Sequence, residues 1–164
     1  MTDYQHFLSE LPPNTPIGYE GVSIWSFSEL QERQVGYSVT PDGRSLIGKK
    51  AGDWQGNWLV IGNEELCGDP IFIDTAESGF PVYTAVHGED KWEPVAIAVS
   101  LTGLRDALTA IGRAATGREN PVALEENPIS AAEREAILNE IGERNPGIDL
   151  SFWAMMLGDE PEEE

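Results

Sequence analysis

Between residues 58 and 101 the chain repeats one pattern, a short run of β-branched and aromatic residues followed by a turn. Trp58-Leu59-Val60-Ile61-Gly62 is followed by Cys67-Gly68-Asp69-Pro70-Ile71-Phe72-Ile73-Asp74, then by Pro81-Val82-Tyr83-Thr84-Ala85-Val86-His87, then by Val95-Ala96-Ile97-Ala98-Val99-Ser100-Leu101. Runs this short, bounded by Gly, Pro and Asp, read as strands rather than helices. The predicted strands are 58–61, 71–74, 82–86 and 95–99. Their short connections leave no room for helical crossovers, so the strands pair antiparallel. Because 95–99 is apolar on both sides, it is predicted to lie centrally in the sheet. A helix opening at Ser100 or Thr102 aligns Leu101, Leu104, Leu108 and Ile111 on one stripe, suited to packing across that sheet.

The flanking segments add helices. Tyr4, Phe7, Leu8 and Leu11 share one helical face before Pro12-Pro13 stops it. A second short helix is predicted over 27–35, capped by Ser26 or Ser28, with Ile24-Trp25 extended before it. Thr40-Pro41-Asp42-Gly43-Arg44 is a turn sequence, which predicts a hairpin between 36–39 and 45–47. Downstream, Ser130 and Glu133 have capping-box spacing and open a helix that ends near Arg144 at Asn145-Pro146-Gly147. Asp149 can cap a last helix carrying Leu150, Trp153, Met156 and Leu157. The fold class is therefore α+β, a mainly antiparallel sheet of about five to six strands backed by helices, with a C-terminal helical extension. One domain spans 1–164, its core at about 17–115, with an acidic helical extension over 119–158 packed on that core and a disordered tail at 159–164.

Charge narrows the partners. With 29 acidic against 10 basic residues the net charge is −19, a field that repels phosphate backbones and anionic membrane surfaces and attracts basic proteins. Such acidity also keeps soluble proteins dispersed, so charge alone names no partner. Cys67 is the sole cysteine, which excludes an intramolecular disulfide, a multi-cysteine zinc site and a Cys-x-x-Cys redox pair, and fits a reducing compartment. The N-terminus lacks a basic segment followed by an apolar run, and no stretch approaches the ~20 apolar residues that span a bilayer; the expected location is cytoplasmic.

Catalytic signatures are sparse. The common phosphate-cradling, nucleophile-elbow and zinc motifs are absent. His87, beside Gly88-Glu89-Asp90, has the makings of a general base oriented by a carboxylate or of a mixed histidine and carboxylate metal site, though a polar turn residue at a strand end is the favoured reading. Cys67 is flanked by Glu64, Glu65 and Asp69, which favour the unreactive thiol. The 62–70 loop is rich in oxygen ligands but lacks the alternating acids of an EF-hand; a shaped turn, with Gly68 supplying an unusual backbone angle, accounts for it. Trp54, Trp58 and Trp92 lie near turns or strand ends, where an exposed indole anchors interfaces well, but core packing is the better reading for Trp58, as for Trp25 and Trp153.

Residues 24–34, 58–74, 81–87 and 95–108, above all the Trp58–Gly62, Cys67–Asp74 and Val95–Leu101 runs quoted above, resemble in pattern and order the SUKH superfamily, which unites bacterial toxin-immunity proteins with a fungal cell-wall assembly regulator. The resemblance covers about 90 to 100 residues; the segment after residue 119 extends past the usual core. It implies an α+β domain with a non-enzymatic, cofactor-free role in binding a partner protein, in bacterial members typically a toxin domain, often a nuclease. The expected function is an immunity protein that occludes a basic toxin. A regulatory scaffold of the same fold, and a ligand-binding protein or enzyme using His87 and nearby carboxylates, are the alternatives. The expected partner-binding residues are Trp54, Glu64, Glu65, Asp69 and Trp92, with no catalytic or metal-binding residues.

Overall fold

The four apolar runs between residues 58 and 99 are strands, and two further strands precede them. The computed structural model describes residues 3–86 and 91–158; His87 and the 159–164 tail lie outside the described residues. The elements run α1 (Asp3–Ser9), β1 (Asn14–Ile17), β2 (Glu20–Ile24), a 3-10 turn (Phe27–Glu29), α2 (Leu30–Arg33), β3 (Trp58–Glu64), β4 (Pro70–Asp74), β5 (Val82–Thr84), β6 (Val95–Ala98), α3 (Leu101–Ala115), α4 (Pro121–Glu126), α5 (Ala131–Arg144) and α6 (Ser151–Met156). The sheet is an antiparallel meander, β1 to β6 in chain order, and the fold is α+β.

Alternation along the strands makes two cores. Ile61, Ile71, Ile73, Val82 and Ile97 face one side, where Leu104, Leu108 and Ile111 of α3, Ile141 of α5 and Trp153 of α6 bury them. Val60, Phe72 and Tyr83, one residue out of phase, face the other side and meet Trp54, Trp58, Tyr37 and Trp92. The cover on this second face is the long connection between α2 and β3. Gln34 fastens it: the side-chain amide accepts from Val60 N–H at 2.9 Å and donates to Val60 C=O at 2.8 Å and to Leu30 C=O at 2.8 Å. Beyond the short β2, a side-chain amide thus takes the place that a neighbouring strand would fill.

The first face is closed by Asn145, which is fully buried. Its Oδ1 accepts from Val99 N–H at 3.0 Å, and its Nδ2 donates to the carbonyls of Gly103 and Ile141, each at 3.1 Å. One amide therefore joins the end of β6, the first turn of α3 and the last turn of α5. Trp153 adds a second tie, donating from Nε1 to Ile97 C=O at 2.8 Å.

Several expectations are corrected. The 95–99 strand is not central: β6 is an edge strand, apolar on both sides because Ile97 and Ala98 lie beneath helices while Val95 and Val99 remain partly exposed at the edge. The 36–47 hairpin is reduced to an isolated Val39–Ser45 bridge flanked by the Thr40 N–H to Arg44 C=O and Leu46 N–H to Ser38 C=O bonds, because this segment wraps the aromatic face instead of joining the sheet. The 27–35 helix breaks into the 3-10 turn and α2. The β1–β2 hairpin, turning at Gly18-Tyr19, and α4, which opens at Asn120-Pro121, were not foreseen.

Two glycines of α3 test this packing with opposite signs. A Cβ at Gly112 meets nothing within 4 Å, whereas one at Gly103 falls 2.1 Å from Asn145 Oδ1. Gly112→Ala is expected to stabilise the fold by about 0.5–1 kcal/mol through helix propensity. Gly103→Ala is expected to destabilise it by about 1–3 kcal/mol despite the same propensity gain, because the Asn145 bonds must give way. Urea denaturation of the two variants measures both; equal midpoints would contradict the role given to Asn145.

Candidate functional site

At one end of the sheet the β3–β4 loop is built around a carboxylate. Glu64, last residue of β3, pairs with Val22 of β2 and is 1% exposed. Its Oε1 accepts from Cys67 N–H at 2.7 Å and Asp69 N–H at 3.2 Å, and its Oε2 from Leu66 N–H at 3.1 Å. Glu64 N–H donates to Asp69 C=O, and Glu65 N–H to Gly21 C=O. Gly68, at φ 78°, supplies the left-handed residue that the turn needs. Three loop N–H groups converge on one buried anion, so the loop is held in a single conformation.

Glu20, on β2, completes this corner. Its Oε1 accepts from Leu66 N–H at 3.2 Å, and among the described residues no N–H or O–H donates to its buried Oε2. Burial, and then the hydrogen bond and charge of the adjoining Glu64 carboxyl, push the Glu20 pKa from 4.5 up to about 7 against the pull of two backbone N–H groups. Near neutral pH Glu20 therefore keeps its proton in a substantial fraction of molecules, and protonated Glu20 can donate to Glu64 where an ionised one would only repel. The loop turns Leu66 and Cys67 outward. Glu64 above all, then burial, Asp69 and Glu20, raise the Cys67 pKa, which leaves an exposed but weakly nucleophilic thiol.

The expected contact residues divide into two groups. Glu64, Glu65 and Asp69 come together on this loop, but only Glu65 is exposed, its Oε1 accepting from Ser23 Oγ. Glu64 is corrected from a contact residue to the anion that organises the loop. Asp69 is half-buried and faces the aromatic side, where it adds to burial in raising the Tyr37 pKa. Trp54 is also corrected: it is 1% exposed, with Phe72, Trp58, Trp92 and Tyr37 rings at 4.8, 5.2, 5.3 and 5.4 Å. It is the centre of the second core. Trp92 lies half-buried at the rim of that cluster, 5.7 Å from Tyr37.

Sequence reasoning missed the exposed apolar groups. Tyr19 at the hairpin turn is 74% exposed, Val122 on α4 62% and Leu66 57%. The hairpin ties these elements together, since Gly21 bonds Glu65 and Gly18 packs against Leu124 of α4. Exposed acids Glu65, Glu125 and Glu126 lie on the same elements, and Glu119 lies just before α4. The available signal was the Gly18-Tyr19-Glu20-Gly21 sequence, a two-residue turn between Thr15/Ile17 and Val22/Ile24 alternation.

Among the described residues, no group of three or more His, Cys, Asp or Glu is placed to hold a metal ion, and no helix is long and apolar enough to cross a membrane. A hollow of about 410 Å³ lined by Thr84, Val86, Lys91 and Glu93 flanks the segment containing His87, which itself lies outside the described residues. Compared with known protein families, curated proteins and solved structures, the chain has no match.

The carboxyl pair sets a pH dependence. Between pH 4.5 and about 7 the folded state keeps a proton on Glu20 that the unfolded chain has released, so stability falls as pH rises through that window. Glu20→Gln removes this component. Relative to the variant, wild type is expected to lose about 1–2 kcal/mol between pH 5 and pH 8, allowing for solvent screening. Parallel urea titrations at the two pH values measure the difference, and parallel pH profiles for the two proteins would rule out a raised Glu20 pKa.

Proposed function

We propose that the protein is a non-enzymatic binding module of the immunity type, which neutralises a basic toxin by covering its substrate-binding face. The observation that carries the proposal is the loop held by Glu64, which presents Leu66 and Glu65 in a preformed arrangement beside the exposed Tyr19 turn. A rigid loop loses little conformational entropy on docking, so its contacts contribute more of their energy to affinity. An apolar anchor within an acidic setting suits a partner whose Lys and Arg side chains are arranged for phosphates. The net charge of −19 would speed the encounter, and the resemblance in pattern to SUKH immunity proteins gives the partner class.

The test is co-expression with the basic toxin domain that this reading expects a neighbouring gene to encode, scoring cell survival and measuring the affinity of the purified pair at low and high salt. Protection is expected, with affinity falling as salt rises. Leu66→Asp is expected to weaken the complex by roughly 2 kcal/mol without unfolding the protein, since Leu66 is already in water. A toxin that kills equally with and without the protein, and forms no complex with it at either salt, would refute the reading.

A further inference from the structure

The two edges of the sheet are treated differently. On β6, side chains from the C-terminal helical region close the edge: Trp153 takes the carbonyl of Ile97 and Asn145 takes the N–H that follows the strand, on Val99. On β1, the register sets Thr15 opposite Val22 and Ile17 opposite Glu20, and Ile24 N–H bonds Pro13 C=O. Residues 13, 15 and 17 therefore bond inward, and the backbone groups of Asn14 and Pro16 point outward. The next outward group, Gly18 N–H, donates to Arg118 C=O at 2.8 Å. That bond lies where the first rung of a seventh strand would lie, and among the described residues no ladder continues from it.

Alongside the unoccupied rungs runs the groove between β1 and α3, a cavity of about 510 Å³. Leu108, Thr109, Gly112 and Ala115 line it from the helix, and a side chain at Gly112 would project into open space. Its chemistry favours a donor-rich guest. Pro16 has no N–H, so the edge offers two carbonyls and only the Asn14 N–H. Glu119 sits at the Arg118 end, its carboxyl held below the ordinary range by the N–H of Gly117 and neighbouring backbone groups. Glu10, also on the groove, is already engaged by Arg105 at 3.0 Å and His6 at 3.3 Å, so the uncompensated charge lies on the Glu119 side.

We propose that this groove receives an extended segment of a basic partner protein, added to β1 as a seventh strand, with an apolar side chain over Gly112 and a Lys or Arg at the Glu119 end. The partner's basic character rests on the proposed function; the edge geometry is independent of it. The arrangement is strand addition, in which the main chain gives affinity and alternate side chains give specificity. Pro16 explains why the edge waits for such a partner without pairing indiscriminately, because a ladder through it always lacks one donor.

The probe is a displayed library of short peptides with Lys or Arg at alternate positions, selected on the intact protein, with amide shifts read by NMR. Selected peptides are expected to shift Asn14, Thr15 and Ile17 together with Thr109 to Ala115. Gly112→Leu fills the groove and Thr109→Arg adds a cation at an exposed position; each is expected to weaken binding at least tenfold, while Gly112→Ala confirms that the site tolerates a side chain. Retention of no peptide, shifts centred on Trp92, binding within twofold of wild type in both variants, or a dimer formed through β1 would each overturn the proposal. A toxin neutralised equally well by wild type and Gly112→Leu would overturn the groove and leave the module reading standing. Peptide binding in the groove without neutralisation of any basic toxin would do the reverse.

Discussion

The buried amide of Asn145 determines how the helices sit on the sheet. A buried amide with a missing partner costs about 1–3 kcal/mol, so its three bonds to Val99, Gly103 and Ile141 allow little freedom in where α5 ends relative to β6 and α3. Gly103 is the complementary requirement, since any side chain there would displace the amide. With α5 positioned, α6 follows: Trp153 reaches the Ile97 carbonyl only if the chain reverses just after Asn145. The acidic C-terminal region is thus part of the core, and it shields the β6 edge from pairing with other chains.

The opposite face is settled by a different device. An antiparallel sheet ordinarily leaves one face to water, but here Val60, Phe72 and Trp58 are too apolar to be left exposed. A connection without regular strands or helices covers them, held at one end by the Gln34 amide and near the other by Trp54. Among the described residues the Trp54 Nε1 has no hydrogen-bond partner, and the Trp58 and Trp92 rings pack edge-on against that indole. Both sheet faces are consequently covered, which leaves loops and strand edges as the surfaces available for recognition.

This explains what could be read from the sequence and what could not. The strands from 58 to 99 and the start of α3 were legible because each is encoded locally, by β-branched runs, turn residues and a capping serine, Ser100, that accepts from Gly103 N–H. The edge position of β6 was not, because two-sided apolarity says that both faces are covered without saying how many strand neighbours there are. Trp54 looked like a surface anchor from its Gly-rich, polar surroundings, and only tertiary contact shows those surroundings to be a lid. Glu64 and Glu20 were equally opaque. Among 29 acids nothing local marks the two whose partners lie across a hairpin and a loop. The open β1 edge could be recognised only after the pairing register was known.

The same distinction governs the charge. The basic residues are largely engaged by the protein itself: Arg118, buried, bonds the carbonyls of Asn127 and Ala114 and the Glu133 carboxylate, Arg105 pairs with Glu10, Arg113 with Glu140, Lys91 with Glu93, and Arg33 lies over the Trp25 ring. An acidic excess that cannot be neutralised internally must be carried as self-repulsion, which disfavours the compact state. At the Glu20–Glu64 corner one proton relieves part of it. On the exposed hairpin, loop and α4 surface the relief must come from outside, from counterions or from a cationic partner. Docking a basic protein there would remove a repulsion already present in the free molecule, so the acidity that makes the unbound fold less stable is also what would favour the complex.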